Sequence, residues 1–295
     1  MAENIRKTID LRKSTRKSAK AAAQGASRSK QSQTASRTAA ARPAKTTKRA
    51  ASHKEPAPAK TTRAAKNKNL LRIIPLGGLN EIGKNITAFE FKDDIIIVDC
   101  GMSFPNDEMY GIDIVIPDFE YLEKNSKRIR GMLVTHGHED HIGAVPYLLK
   151  KIRVPIYATK LTLGLIESKL SEHNIKADMH PIRAGQKLKL GAFSVEAIRM
   201  THSIADSLAF AIDTPVGRIF HTGDFKIDYT PVDGDPMDFQ QLAEIGSRGV
   251  LLMLSDSTNA VRSGYTKSER HLDAVMEGIF QDTKSSRIIV ATFAS

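Results

Sequence analysis

Between Thr135 and His141 the chain reads THGHEDH, which sets His136, His138, Asp140 and His141 within one short stretch directly after an apolar run. Imidazole nitrogen and carboxylate oxygen are the ligands zinc takes at short, fixed distances. On a loop leaving a strand, His136 and His138 can project toward one point. Asp140 and His141, at the start of the next helix, then face a second point a few ångströms away, so the spacing suits two adjacent metals. Two further polar residues interrupt apolar surroundings: His202 ends FSVEAIRMTH and Asp224 follows RIFHTG. A carboxylate has two oxygens and can bridge two cations. Such a pair makes water a strong nucleophile at neutral pH and stabilises negative charge developing on phosphorus. Taken alone, a single histidine is more often a satisfied core residue, and Asp224 could equally make a turn. The company of the His cluster turns both toward ligation.

The elements that must position these residues alternate between extended and helical patterns. Strands are expected from Leu70 into the Gly77-Gly78 turn, over 86–91 and 94–101 as a hairpin about Lys92 and Asp93, and over 131–136 and 154–158. Further strands are expected over 192–200, 207–213, 217–221, 249–255 and 286–293, with a hairpin at Pro215 to Gly217. Each run is short, rich in β-branched or aromatic residues and bounded by turn formers. Helices are expected over 144–152, 161–173, 238–246 and 267–281. Mixed strands and helices with polar residues at strand ends predict an α/β layered fold whose site lies on loops at one sheet edge. The glycine-rich GGLNEIG lacks the lysine and spacing of a phosphate-cradling loop and is expected to be a turn near the site.

Charge divides the chain sharply. Residues 1–69 hold 19 Lys+Arg against 3 Asp+Glu, which leaves 25 against 30 for the rest, so the overall +11 describes the first segment and not the body. That segment is built of Ala, Lys, Arg, Ser, Thr and Gln, with Ile5, Ile9 and Leu11 almost its only large aliphatics, and is expected to be a disordered tail. A polycation of this kind favours salt-sensitive, sequence-independent attachment to RNA; a purely solubilising role and an organellar transit peptide are the alternatives. With no apolar signal region and no long apolar run, neither secretion nor membrane spanning is expected, and cytoplasmic localisation is. Cys100 is the one cysteine and reads as a packed small apolar residue, which leaves the metal chemistry to His and Asp. His173, His180, His221 and His271 have no partner pattern and are expected to be structural or exposed.

The His-x-His-x-Asp-His stretch with a later single His and a later Asp resembles the metallo-β-lactamase superfamily. The surrounding segments resemble the ribonuclease J family of its β-CASP branch: GGLNEIGKN (77–85), IIIVDCGMSFP (95–105), VTHGHEDHIGAVPYLL (134–149), THSIADS (201–207), HTGDFKID (221–228), LSDSTNA (254–260) and IIVATFAS (288–295). This resemblance runs from Leu70 to the end and leaves out the tail. It implies an αββα sandwich over 70–255, incomplete in this chain, followed by the beginning of a β-CASP domain over 256–295. It implies two Zn2+, the first held by His136, His138, His202 and Asp224 and the second by Asp140, His141 and Asp224. Asp99 would match an acidic motif that is mainly structural, and Asp256 an acidic residue close to the site. The implied activity is 5′-to-3′ exonuclease and endonuclease action on RNA, with Asp140 orienting the attacking water or accepting its proton and Asp256 in the catalytic vicinity; Asp256 could also be a turn or cap residue. Homo-oligomers are implied for the full-length family.

Two later histidine motifs of that family have no counterpart here, so the second zinc is expected to keep three protein ligands and the chain to be less active than a full-length homologue. The chain ends on an apolar run without a closing element, which reads as truncation. A different hydrolase of the same fold, acting on a thioester or on tRNA precursors, is the second reading, and a catalytically weak zinc- or RNA-binding fragment the third.

Overall fold

A computed structural model of the chain describes residues 69–232, 234–283 and 285–291. The expectation for the basic tail therefore lies outside the described residues. Two sheets form the centre. The first contains β1 (Leu71–Gly77), β2 (Ile86–Phe91), β3 (Asp94–Val98), β4 (Ile129–Leu133), β5 (Ile156–Ala158) and β6 (Met179–Pro181), in that spatial order. The second contains β7 (Lys187–Leu190), β8 (Phe193–Arg199), β9 (Leu208–Thr214), β10 (Gly217–His221) and β11 (Leu252–Leu254), in the order β11-β10-β9-β8-β7. The helices are α1 (Glu120–Lys124), α2 (Glu139–Ile142), α3 (Val145–Leu149), α4 (Lys160–Glu172), α5 (Phe239–Arg248) and α6 (His271–Asp282).

The layers follow from strands that are apolar on both faces. In β3, Ile95 and Ile97 pack with Leu122 of α1, Val145 and Leu148 of α3 and Ile166 of α4, whereas Ile96 and Val98 turn to the opposite side. There they meet Phe89 and Phe91 of β2 and, from the second sheet, Phe193, Val195, Phe210 and Ile212. The second sheet is two-sided as well, because Ile198, Ala209, Ala211 and Phe220 pack outward against Ile245 of α5. Period-2 alternation with both sets apolar is the signature of a strand covered on each face. The order of layers is thus helix, sheet, sheet, helix.

Strand direction brings the functional loops to one edge. β3 and β4 are parallel, so Asp99 and the Thr135-His136 pair emerge together. β8 and β10 are each antiparallel to β9, which makes them parallel to one another, and β11 is parallel to β10. The residues that follow β8, β10 and β11 therefore share an edge: His202, Asp224 and Asp256. The two sheets are tied at this edge by Leu208 N–H donating to Thr135 O (2.9 Å). Gly223, with φ 57°, lies so close that a Cβ would meet Thr135 Cβ at 3.0 Å.

Some sequence expectations need correction. The apolar run over 286–293 is not a strand in its described part: no described segment offers it a ladder partner, and Ile289 and Val290 are exposed. The strand expected over 249–255 narrows to Leu252–Leu254. Short elements that carry little periodicity, α1, β6 and β7, form where none was expected. Among the described residues no helix is long and apolar enough to cross a membrane.

Phe210 is fully buried between the sheets and Val261 is 97 % exposed. Phe210→Ala is expected to lower unfolding free energy by about 3–5 kcal/mol, while Val261→Ala stays within about 0.5 kcal/mol; urea unfolding followed by circular dichroism reads both.

Candidate metal centre

Four imidazoles and two carboxylates converge at the shared edge. His136 Nε2 lies 3.0 Å from His138 Nδ1, which in turn lies 3.2 Å from His202 Nε2. His141 Nε2 faces a second cluster, 3.3 Å from Asp224 Oδ1 and 3.4 Å from Asp140 Oδ2. Asp224 turns its other oxygen toward His202 Nε2, at 3.7 Å. Two sets of three ligand atoms fall within metal-binding reach, His136–His138–His202 and His136–His141–Asp224. Ligand atoms around a tetrahedral zinc with bonds of about 2.0–2.1 Å stand roughly 3.3–3.4 Å apart, and the donors here match that spacing. The donor chemistry fits a pair of divalent cations. Every residue expected to be a ligand, namely His136, His138, Asp140, His141, His202 and Asp224, is brought to this place.

Hydrogen bonds behind the imidazoles fix which nitrogen faces inward. Asp99 is buried, and its Oδ2 lies 2.8 Å from His141 Nδ1, so the carboxylate accepts Nδ1–H and leaves Nε2 for the cluster. Asp99 Oδ1 accepts from Thr135 N–H (2.8 Å). The Thr135 hydroxyl lies 3.0 Å from Asp99 Oδ2 and 3.0 Å from His136 Nδ1. By donating to Asp99 it accepts Nδ1–H of His136, which aims His136 Nε2 at His138. Partners of this kind set tautomer and ring orientation in metal sites. Asp99 holds φ 62°, a left-handed backbone that Asp and Asn tolerate better than other side chains.

The α2 turn that carries Asp140 and His141 is sewn to the preceding strands by backbone bonds. Asn85 N–H donates to Asp140 O (3.0 Å), Cys100 N–H to His141 O (2.8 Å) and Met102 N–H to Glu139 O (3.1 Å). Gly101 makes this approach possible, since a Cβ there would stand 1.5 Å from Asp140 O. The Asn85 amide nitrogen also lies 3.1 Å from Asp140 Oδ2 and 3.2 Å from His141 Nε2. Sequence reasoning passed over Thr135 and Asn85. The signal for each was a lone polar residue in an apolar setting beside a His motif, which gains meaning only through partners distant in the chain.

Burial holds His136 well below the ordinary histidine range, and the neighbouring imidazoles add to this. Burial also lowers His138 and His202, against the opposing pull of Asp140 and Asp224 respectively. For His141 burial is outweighed by the Asp99 charge and by hydrogen bonds to Asp140, Asp224 and Asp99, which together raise it well above that range. Asp140 and Asp224 are held low despite burial, chiefly by His141. In the first set the imidazoles are held neutral, as a cation needs; in the second the carboxylates are ionised around a His141 held protonated, whose Nε2 proton a cation would displace.

Asp256 borders the centre without joining it. Its Oδ1 accepts from Thr258 N–H (2.9 Å) and Thr258 Oγ1 (2.8 Å), and its Oδ2 lies 3.5 Å from Phe225 N beside Asp224. The GGLNEIG turn reaches the same place: Leu79 and Ile82 line a groove of about 410 Å3 together with Asp140, His141, Asp224 and Asp256. Of the other histidines, His221 packs beside the centre with Nδ1 accepting from Gly223 N–H (3.2 Å). His173 and His180 pair with Lys150 and Asp178 away from it. Cys100 is buried, and burial pushes its thiol far up, as a packed small residue requires.

An αββα sandwich with clustered His and Asp ligands at one strand edge defines a class. A sequence profile of the metallo-beta-lactamase superfamily matches residues 79–257, and the chain belongs to that superfamily. Within it the chain is similar to curated ribonucleases J. It is 48 % identical over 229 residues to ribonuclease J of Synechocystis sp., covering 76 % of this chain and 36 % of the relative. It is 47 % identical over 232 residues to ribonuclease J of Helicobacter pylori strain 26695, covering 78 % and 34 %. It is 46 % identical over 233 residues to ribonuclease J 1 of Streptococcus pyogenes, covering 77 % and 40 %. The chain thus spans about a third of the length of the curated relatives it matches. Among solved structures, a protein of unknown function from Enterococcus faecalis V583 shares the fold, with a TM-score of 0.54 and 18 % identity over 72 % of this chain and 58 % of that one.

Asp99→Asn keeps a side chain that tolerates the left-handed backbone but removes the charge behind His141. Affinity for the cation at His141 is expected to fall about 10–100-fold, read by zinc titration against a competing chelating dye.

Proposed function

We propose that this centre hydrolyses phosphodiester bonds in RNA with two zinc ions, as a ribonuclease acting both within the strand and from its 5′ end. The observation that carries the reading is Asp224, which faces His141 Nε2 with one oxygen (3.3 Å) and His202 Nε2 with the other (3.7 Å). Similarity to ribonucleases J along most of the described chain supplies the substrate class.

His136, His138 and His202 would hold the first zinc through neutral nitrogens, and Asp140 and His141 would hold the second, with Asp224 within reach of both. When bound, the cations lower the pKa of water and draw negative charge from the phosphate oxygens. Asp140, ionised and at the groove wall, orients the attacking water and takes its proton. Asp99 on Nδ1 turns His141 Nε2 inward, where a bound cation would take the place of its proton. Asp256 is a positioning residue: it braces the loop after β10 through Phe225 and so keeps Asp224 between the two imidazoles. In this reading the 70–255 segment is the hydrolase domain and 256–295 begins the adjoining β-CASP domain. The basic segment 1–69 adds sequence-independent, salt-sensitive attachment to RNA.

The test compares turnover of an RNA bearing a 5′ monophosphate with turnover of a small thioester by the full 295-residue chain, with and without chelator. Chelator-sensitive RNA cleavage is expected, with Asp140→Asn slower by about 10²-fold or more. Turnover of the thioester alone would transfer the site to another hydrolase of the same fold.

A further inference from the structure

His136 and His141 are each fixed by a partner behind the ring, Thr135 and Asp99, and for Asp140 the partner is Asn85. The Asp140 carboxylate is partly exposed, with 32 % of its side-chain surface open, on a helix of four residues that by itself gives little rigidity. Asn85 meets it three times. The Asn85 backbone N–H donates to Asp140 O (3.0 Å), and the amide nitrogen lies 3.1 Å from Asp140 O and 3.1 Å from Asp140 Oδ2. An amide nitrogen carries two hydrogens. Both are directed at Asp140 oxygens, and the same nitrogen lies 3.2 Å from His141 Nε2, so Asn85 stands beside both donors of the second set.

Asn85 is itself immobilised. Its carbonyl accepts from Gly101 N–H (3.0 Å), and its Oδ1 rests against Gly78, where a Cβ would stand only 2.6 Å away. Gly78 has φ +81°, so the GGLNEIG turn admits the Asn85 carboxamide at a spot where another residue would be both strained and obstructive. We infer that Asn85 is the positioning residue of the second cation site, and that its carboxamide donates to Asp140 so that the carboxylate is held in ligating orientation. This rests on the two-cation reading above, and it gives Asp140 what Asp99 gives His141.

The test is stepwise zinc binding by the full chain, measured without RNA by competition with a chelating dye, in wild type, Asn85→Ala and Asn85→Asp. Aspartate keeps the size of the side chain but cannot donate. If Asn85 merely filled space, Asn85→Asp would bind like wild type. Both variants are expected to bind the first equivalent as wild type does and the second about 10–100-fold more weakly. An unchanged second equivalent in Asn85→Ala, or an unchanged or tighter one in Asn85→Asp, overturns the inference. Wild type binding a single equivalent overturns instead the two-cation reading beneath it.

Discussion

Three imidazole nitrogens face one another at 3.0 and 3.2 Å, and the His136 ring is aimed from behind by the Thr135 hydroxyl. Lone pairs at that separation repel unless a proton or a cation lies between them, and burial has already made protonation of His136 unfavourable. A divalent cation removes the conflict, because one positive centre satisfies every nitrogen together. The surroundings are organised around this demand. Asp99 is a buried carboxylate in a left-handed backbone, a combination that costs about 1–3 kcal/mol in strain alone. It persists because it accepts from Thr135 N–H and lies against His141 Nδ1 at 2.8 Å.

The packing of the sheets is what holds loops this tightly. β2, β3, β8 and β9 bury both faces, so their ends cannot shift without moving Phe89, Ile96, Phe193 or Phe210 in the layer between the sheets. Close-packed interiors resist such shifts. Parallel placement of β3 with β4, and of β8 with β10 across β9, then delivers Asp99, His136, His202 and Asp224 to one edge. The bond from Leu208 to Thr135 locks the two sheets together within a residue of the first ligand. Stability of the core and geometry of the centre are therefore coupled through strand ends rather than through loop composition.

Much of this was legible in the sequence, for specific reasons. The THGHEDH stretch is readable because four ligand candidates are adjacent in the chain, and no packing role asks for that density. His202 and Asp224 were legible only in its company, since each alone fits a core histidine or a turn. Thr135 and Asn85 escaped because their roles lie in hydrogen bonds to residues 36 and 55 positions away, which no local pattern records. The apolar run over 286–293 misled for a related reason: composition shows that a segment can be a strand, whereas pairing needs a neighbour. The short β6 and β7 formed despite weak patterns because β5 and β8 offered them edges.

The two halves of the centre differ in charge, and this bears on how an anionic substrate could enter. The first set of donors is three neutral imidazoles. The second contains Asp140 and Asp224, and Asp256 and Glu81 line the same groove. Without cations that groove is rich in carboxylates, and the body of the chain beyond residue 69 is itself net negative. Two divalent ions would reverse the sign at the point where the chemistry occurs, so metal loading would govern substrate binding as well as the activation of water. On the proposed reading the positive charge of residues 1–69 would act at a different stage. It would raise the local concentration of a polyanion but would not substitute for bound cations, because an attraction screened over roughly 8–10 Å falls short of a contact interaction.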